Sequence, residues 1–179
     1  MNDGDVERLV LEFRQGSAES FEKLLRLYEG PIFNAAYRIL NNYEDARDVT
    51  QNVFLKAFEN LDSYDQNYRF FSWIYRIAVN ESINMRTAKR PLDNLENVKV
   101  EESDTPEKAL SQAELGEIIQ GALMALGMDY RIVIVLRHFQ NCSYKDIGEI
   151  LDIPEKTVKS RLFTARSLLR DSLSSKGVL

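Results

Sequence analysis

Cysteine is nearly missing from the 179 residues: Cys142 stands alone, so no internal disulfide can form. Histidine is as scarce, with His138 the single one. The two lie four apart and could share a helical face, yet one His and one Cys fall short of the three or four ligands of a usual zinc site. No metal is expected, and no metal-dependent enzyme. Eight glycines and four prolines punctuate the chain, and no stretch alternates polar and apolar residues between hairpin turns, which argues against sheet. A phosphate-cradling glycine loop and a nuclease-like acidic triplet are both absent, so neither a cofactor nor a small-molecule substrate is implied. No apolar run approaches the roughly 20 residues that cross a bilayer. The N-terminus also lacks the basic, apolar, small-residue order of a secretory leader, and the expectation is a cytoplasmic protein. Finally, there is no excess of cations: 23 Lys and Arg stand against 28 Asp and Glu, a net charge of -5. A protein that coats nucleic acid unaided carries the opposite balance, so any DNA contact must be local or shared with a partner.

What the chain has in abundance is helical periodicity. Val6, Leu9, Val10 and Phe13 recur at i, i+3, i+4, i+7, as do Phe21, Leu24, Leu25 and Tyr28, and Ile32, Phe33, Ala36, Tyr37 and Leu40 continue the series. The fold class expected is all α. Between Arg86 and Lys108 the pattern fails: Pro91 and Pro106 bracket a stretch with Asp93, Glu96, Glu101, Glu102 and Asp104 and few large apolar groups. Its length predicts a flexible acidic linker, residues 89–108, between two small helical domains at 5–88 and 109–175.

The segment SYKDIGEILDIPEKTVKSRLFTARSLLRDSL, residues 143–173, predicts a helix-turn-helix. Ser143 and Asp146 form a capping-box pair opening a short helix with Tyr144, Ile147, Ile150 and Leu151 inward. Asp152, Ile153 and Pro154 end it and start the next. In that second helix Val158, Leu162, Ala165 and Leu169 fall within about 40° of one another at 100° per residue, forming the buried stripe. The opposite face carries Lys156, Lys159, Ser160, Phe163, Thr164 and Ser167. Lys and Ser suit phosphates, and an outward Phe163 suits a thymine methyl in the major groove. A plain helical hairpin with a solvated basic face would share much of this pattern, but not the outward aromatic.

In DARDVTQNVFLKAFENL, residues 45–61, the residues Ala46, Val49, Val53, Phe54, Ala57, Phe58 and Leu61 form a wide apolar arc. Asp48, Gln51, Asn52, Leu55 and Glu59 line the other face, where Leu55 hints at a protein partner. Next, in residues 63–90, Tyr64, Tyr68, Phe70, Phe71, Trp73 and Tyr75 are interleaved with Arg69, Arg76, Arg86, Lys89 and Arg90. Phe70, Phe71, Ile74, Ile77 and Ala78 read as core. Trp73, Arg76, Asn80 and Ile83 share another face, and Tyr64 and Tyr68 are expected in the polar loop before the helix. Rings beside cations suit single-stranded nucleic acid, with bases stacked on the rings and guanidinium groups along the backbone.

DARDVTQNVFLKAF (45–58), RFFSWIYRIAVN (69–80) and SYKDIGEILDIPEKTVKSRL (143–162), in this order and spacing, resemble an extracytoplasmic-function (ECF) RNA polymerase sigma factor of the sigma-70 family. Such proteins carry only the second and fourth sigma regions. The resemblance implies a non-enzymatic subunit that binds core RNA polymerase, recognises −10 and −35 promoter elements and promotes DNA melting. It implies that Asp48, Gln51, Asn52 and Leu55 meet the clamp of the polymerase largest subunit, although the family usually has an acidic residue where Asn52 stands. Positions matching Lys56, Tyr64 and Asn80 would lie near a base flipped from the −10 element, alongside Trp73 and Arg76. Lys159, Ser160, Phe163 and Thr164, with Lys156, would read the −35 element, and Arg137, Tyr144 and Thr157 would lie near its backbone. Gly is common in the family at Lys156, Arg at Thr164 and often Arg at Lys159. Guanidinium and hydroxyl read different base edges, so no −35 consensus carries over. An anti-sigma factor, often membrane-anchored in the family, is a further implied partner. The rival reading is a stand-alone helix-turn-helix regulator, for which residues 5–88 offer no ligand motif or heptad seam.

Overall fold

The computed structural model describes residues 3–89 and 112–178, and all regular structure among them is helical. Helix α1 (Asp3–Arg14) leads through a short turn to α2 (Ala18–Leu40), which begins where the Ser17 hydroxyl accepts from the Ser20 N–H at 3.2 Å. Pro31 removes one backbone donor inside α2, yet Ile32, Ala35, Ala36 and Ile39 beyond it are all buried. Asn41, at φ 55°, ends α2 in the left-handed region that asparagine tolerates. Asn42 then caps α3 (Tyr43–Glu59) by accepting from Asp45 N–H at 3.0 Å. A 3-10 turn at Leu61–Ser63 and an irregular loop precede α4 (Phe70–Lys89). These four helices enclose Leu9, Val10, Leu24, Ile32, Val49, Val53, Ile74 and Ala78.

The second half opens with α5 (Gln112–Ala125) and α6 (Met128–Ile134), and α6 runs on into one π turn at Val135–Phe139. Helix α7 (Tyr144–Leu151) starts at the expected capping box: Ser143 Oγ accepts from Asp146 N–H at 3.0 Å, and Asp146 Oδ2 accepts from Ser143 N–H at 2.8 Å. Asp152, φ 54°, turns the chain into α8 (Glu155–Ser174). That turn is tight. The Ile153 N–H donates to Gly148 O at 3.0 Å, and a Cβ on Gly148 would lie 2.9 Å from Ile153 O, so only glycine fits there. Val158, Leu162 and Ala165 form the buried stripe of α8, with Leu169 partly buried beside it.

The two halves pack on each other, α4 against α7 and α2 against α5 and α6. Apart from Lys89 at the end of α4, the acidic stretch 89–108 lies outside the described residues.

Candidate nucleic-acid interface

Helix α8 leaves Lys156, Lys159, Ser160 and Phe163 exposed and Thr157 and Thr164 half-buried. Phe163 is 79% exposed, the most open large apolar side chain among the described residues. Burying a phenyl ring is ordinarily favourable by a few kcal/mol, so a ring left in water here is apolar area that a partner surface could still bury. Below this helix, Arg137 lies over the Tyr144 ring at 5.2 Å and donates to Cys142 O at 2.7 Å. Lys159 Nζ lies 6.0 Å from the same ring. Five expected contact residues therefore share one surface: Arg137, Tyr144, Lys159, Ser160 and Phe163. Arg161 flanks it, paired with Asp129 at 3.0 Å.

His138 accepts from Arg166 Nε at 3.4 Å, and its pKa is pushed down by burial and by the neighbouring Arg166 and Arg137. Burial raises the Cys142 thiol to about 12, which keeps it protonated at neutral pH. Among the described residues no cluster of three or more His, Cys, Asp or Glu could hold a metal ion, and no helix is long and apolar enough to cross a membrane.

On α3, Asp48, Gln51 and Leu55 are exposed and Asn52 is half-buried. Leu55 is 60% exposed, and so is Phe58, which the helical pattern assigns to the core. The structure corrects that assignment. The apolar arc of α3 is wider than the surface α1 and α2 can cover, so Phe58 touches Phe13 and Phe21 with ring centroids 5.7 and 5.6 Å away and leaves its outer side open. With Phe21, Leu25 and Phe54 it lines an apolar groove beside Gln51 and Leu55. The signal was available in the sequence: Phe58 is three residues from Leu55 and adjoins it on a helix.

The −10 candidates divide. Asn80 and Arg76 are exposed and Trp73 is half-buried, while Lys56 pairs with Glu81 at 2.6 Å. Tyr64 is a second correction. It lies in the loop before α4 as expected, but its ring is not open to a flipped base: only 5% of it is exposed, and its hydroxyl donates to Tyr68 O at 2.6 Å. Its ring packs against Phe70 and Trp73, with centroids 5.6 and 5.4 Å away. Arg14 closes the loop from α1, donating to the carbonyls of Leu61, Asp62 and Tyr64. Tyr64 therefore props Trp73 rather than offering its own face, whereas Tyr68 is the exposed ring of the loop.

With a four-helix unit, an aromatic-cationic helix and a helix-turn-helix in that order, the comparison with known proteins is decisive. Residues 24–91 match the Sigma-70 region 2 family, and residues 116–169 match the Sigma-70, region 4 family. The chain belongs to the ECF sigma factors. It is 34% identical to ECF RNA polymerase sigma factor SigW of Bacillus subtilis over 94% of this chain and 96% of that one. It is 33% identical to the ECF RNA polymerase sigma-E factor of Haemophilus influenzae over 93% and 94%. Among solved structures, CnrH in complex with the cytosolic domain of CnrY superposes with a TM-score of 0.73 at 24% identity, over 93% of this chain and 96% of that one. The sigma factor RpoE in complex with the anti-sigma factor NepR from Bartonella quintana gives 0.69 at 25% identity, over 88% and 98%. This sigma factor is accordingly a promoter-recognising transcription initiation factor and not an enzyme.

Proposed function

We propose a division of labour along the chain. Residues 5–88 bind the clamp of the polymerase largest subunit through Asp48, Gln51, Asn52 and Leu55, to which Phe58 is added. The same unit engages the −10 element through Lys56, Trp73, Arg76 and Asn80, with Tyr64 holding Trp73 in place. Residues 109–175 read the −35 element through Lys156, Thr157, Lys159, Ser160, Phe163 and Thr164, with Arg137 and Tyr144 beside the phosphates, and residues 89–108 link the two.

The observation that carries this reading is the outward Phe163 between Lys159 and Ser160 on the second helix of a helix-turn-helix. Base contacts of that kind select a sequence, while Lys159 and the Ser160 hydroxyl beside the ring suit its phosphates. At −10, an extruded base gains stacking on exposed rings and hydrogen bonds from groups such as Asn80. Binding energy can therefore open the duplex without hydrolysis. The net charge of -5 fits a subunit that meets promoters only together with core polymerase. That work places it in the cytoplasm.

An anti-sigma factor is part of the proposal. CnrH and RpoE, whose folds this chain shares, were each solved with a protein partner, in the second case a stated anti-sigma factor. The groove of Phe21, Leu25, Phe54, Leu55 and Phe58 is apolar and rimmed by Glu29 and Gln51, as a docking helix requires.

The test is gel-shift and abortive transcription with bacterial core polymerase, adding and omitting the chain, on fragments from its own upstream region. Initiation at a discrete site only when both are present is expected. Tight, specific binding of the lone chain to DNA would favour the stand-alone regulator instead.

A further inference from the structure

The residues assigned to the −10 element include two exposed cations, Lys56 on α3 and Arg76 on α4. An anion stands beside them. Glu81 follows Asn80 directly on α4, and its Oε1 accepts from Lys56 Nζ at 2.6 Å across the groove between α3 and α4. The two partners are unequally open: the side chain of Glu81 is 11% exposed and that of Lys56 is 48% exposed. The carboxylate is therefore the fixed end of the pair, and the ammonium is the end that faces outward.

A carboxylate on a surface meant for DNA works against binding, because it repels the phosphates that the neighbouring cations attract. Stability does not account for it. Helices α3 and α4 are already joined through the buried Val49, Val53, Ile74 and Ala78. A second pair, Lys89 with Asp45 at 2.5 Å, crosses between them at their other ends. An ion pair with an exposed lysine adds little to such packing.

What Glu81 changes is the behaviour of Lys56. A lone lysine is a flexible, strongly hydrated point charge that follows phosphates wherever they lie. Here Glu81 takes one of the three ammonium donors, which fixes the position of Nζ and leaves the other two for a ligand. The pair is also neutral as a whole, so its approach to DNA releases fewer counterions than a free lysine would. A fixed donor without net charge suits a base edge better than a phosphate, and the exposed Asn80 adjoins Glu81 on the helix.

We propose that Glu81 is a positioning residue for −10 recognition: it holds the Lys56 ammonium in one place near Asn80 and cancels its charge, so that Lys56 selects a base of the opened strand instead of binding phosphate. This rests on the −10 assignment made above. Glu81 acts through Lys56 and makes no contact with DNA of its own.

The test uses full-length protein with core polymerase, on a promoter and its single-base −10 variants, over a series of salt concentrations. Glu81→Gln keeps the shape and removes the charge, whereas Glu81→Asp keeps the charge on a stem that the flexible lysine can follow. For Glu81→Gln, the slope of log affinity against log salt should steepen by about one. Its preference for the cognate −10 base should fall roughly fivefold. Glu81→Asp should restore both. Lys56→Ala should lose the same preference, and adding Glu81→Gln to it should change the preference no further, as for residues that act as one unit. A role confined to packing would lower Tm and move neither slope nor preference. If Lys56→Ala is impaired while Glu81→Gln matches the unaltered chain in both, the positioning role is overturned and the −10 assignment stands. A further loss of preference in the double variant also overturns it, because Glu81 would then touch DNA itself. If Lys56→Ala leaves opening and base preference unchanged, the −10 assignment of Lys56 fails, and the positioning role falls with it.

Discussion

Arg131 Nη1 donates to the Ile39 carbonyl at 2.6 Å, joining α6 to the C-terminal turn of α2 through a buried guanidinium. Three further carbonyls, those of Leu123, Met124 and Leu126 at the end of α5, accept from the same side chain at 2.9 to 3.0 Å. A helix C-terminus exposes unpaired carbonyls and a partial negative charge, and one fork of N–H donors satisfies both. Burial, with Arg86 nearby, lowers the Arg131 pKa to about 10, so it stays cationic at neutral pH. Arg131→Met keeps the stem but orphans these acceptors. Urea unfolding should show a loss of about 3 kcal/mol, and a loss below about 1 kcal/mol would mean that water replaces the guanidinium.

The exposed face of α3 predicts a different kind of loss. Asp48 and Gln51 make no contribution to the core, so Asp48→Ala with Gln51→Ala should leave the far-ultraviolet circular dichroism unchanged. Affinity for core polymerase should fall about tenfold, or about 1.4 kcal/mol. Leu55→Ala or Phe58→Ala should weaken it further by removing apolar area. A drop in helical content for the polar pair would mean that this face is structural.

What could be read from the sequence was mostly what neighbours within one or two turns decide. The Ser143–Asp146 capping box and the Val158, Leu162, Ala165 stripe are local, and they form as expected. Phe163 could be placed outward because the stripe fixes the opposite face. Tyr64 could not be placed, because its burial depends on α1: Arg14 reaches across 50 residues to its carbonyl. Arg131 reads as an ordinary surface cation until the end of α5 is brought beside it. The packing of α4 on α7 was illegible for the same reason, since the Ser72 hydroxyl and the Glu149 carboxylate that meet there at 2.9 Å are 77 residues apart and neither helix pattern names the other as its neighbour.

Tyr64 offers a test of the loop before α4. Tyr64→Phe removes the bond to Tyr68 O but keeps the ring against Trp73 and Phe70. A half-buried hydrogen bond is worth about 1 kcal/mol, so global stability should fall by about that amount. Promoter opening should fall only modestly, because the ring still supports Trp73. Asn80→Ala should do the reverse, sparing stability while impairing opening, since Asn80 is exposed. Permanganate reactivity of unpaired thymines would separate the two.

Acid should act on Asp146. Burial raises the pKa of its carboxyl, but the hydroxyl and N–H of Ser143 and the Arg69 guanidinium outweigh that and hold it below the ordinary carboxylate value. A depressed folded-state pKa means stability that is fully present above the unfolded value, near 3.9, and is lost as pH falls through the lower folded value. Asp146→Asn should therefore lower Tm at pH 7, with a capping loss of about 1 kcal/mol. The gap from the unaltered chain should close as pH falls below about 4. A gap that persists at pH 2 would show that shape rather than charge sets the contribution of Asp146.

Phe163 and Lys159 permit the sharpest separation of fold from recognition. Phe163 is almost fully in water and Lys159 touches only the edge of the Tyr144 site, so Phe163→Ala and Lys159→Ala should leave Tm within about 1 °C, as surface changes generally do. Truncating either side chain should weaken −35 binding by about 1–3 kcal/mol, or roughly 5- to 150-fold. The two variants should differ in character. Without the Phe163 ring the preference at one base pair should relax, most visibly for thymine, because an aromatic edge packs on its methyl group. Without the Lys159 ammonium, binding should weaken across sequences and the salt slope should fall by about one, as for a phosphate-binding cation. A binding series over single-base variants of the −35 element, run at two salt concentrations with holoenzyme, distinguishes these outcomes. A Phe163→Ala profile that stays parallel to the unaltered chain at every base would assign the ring to packing against the partner polymerase and not to reading DNA.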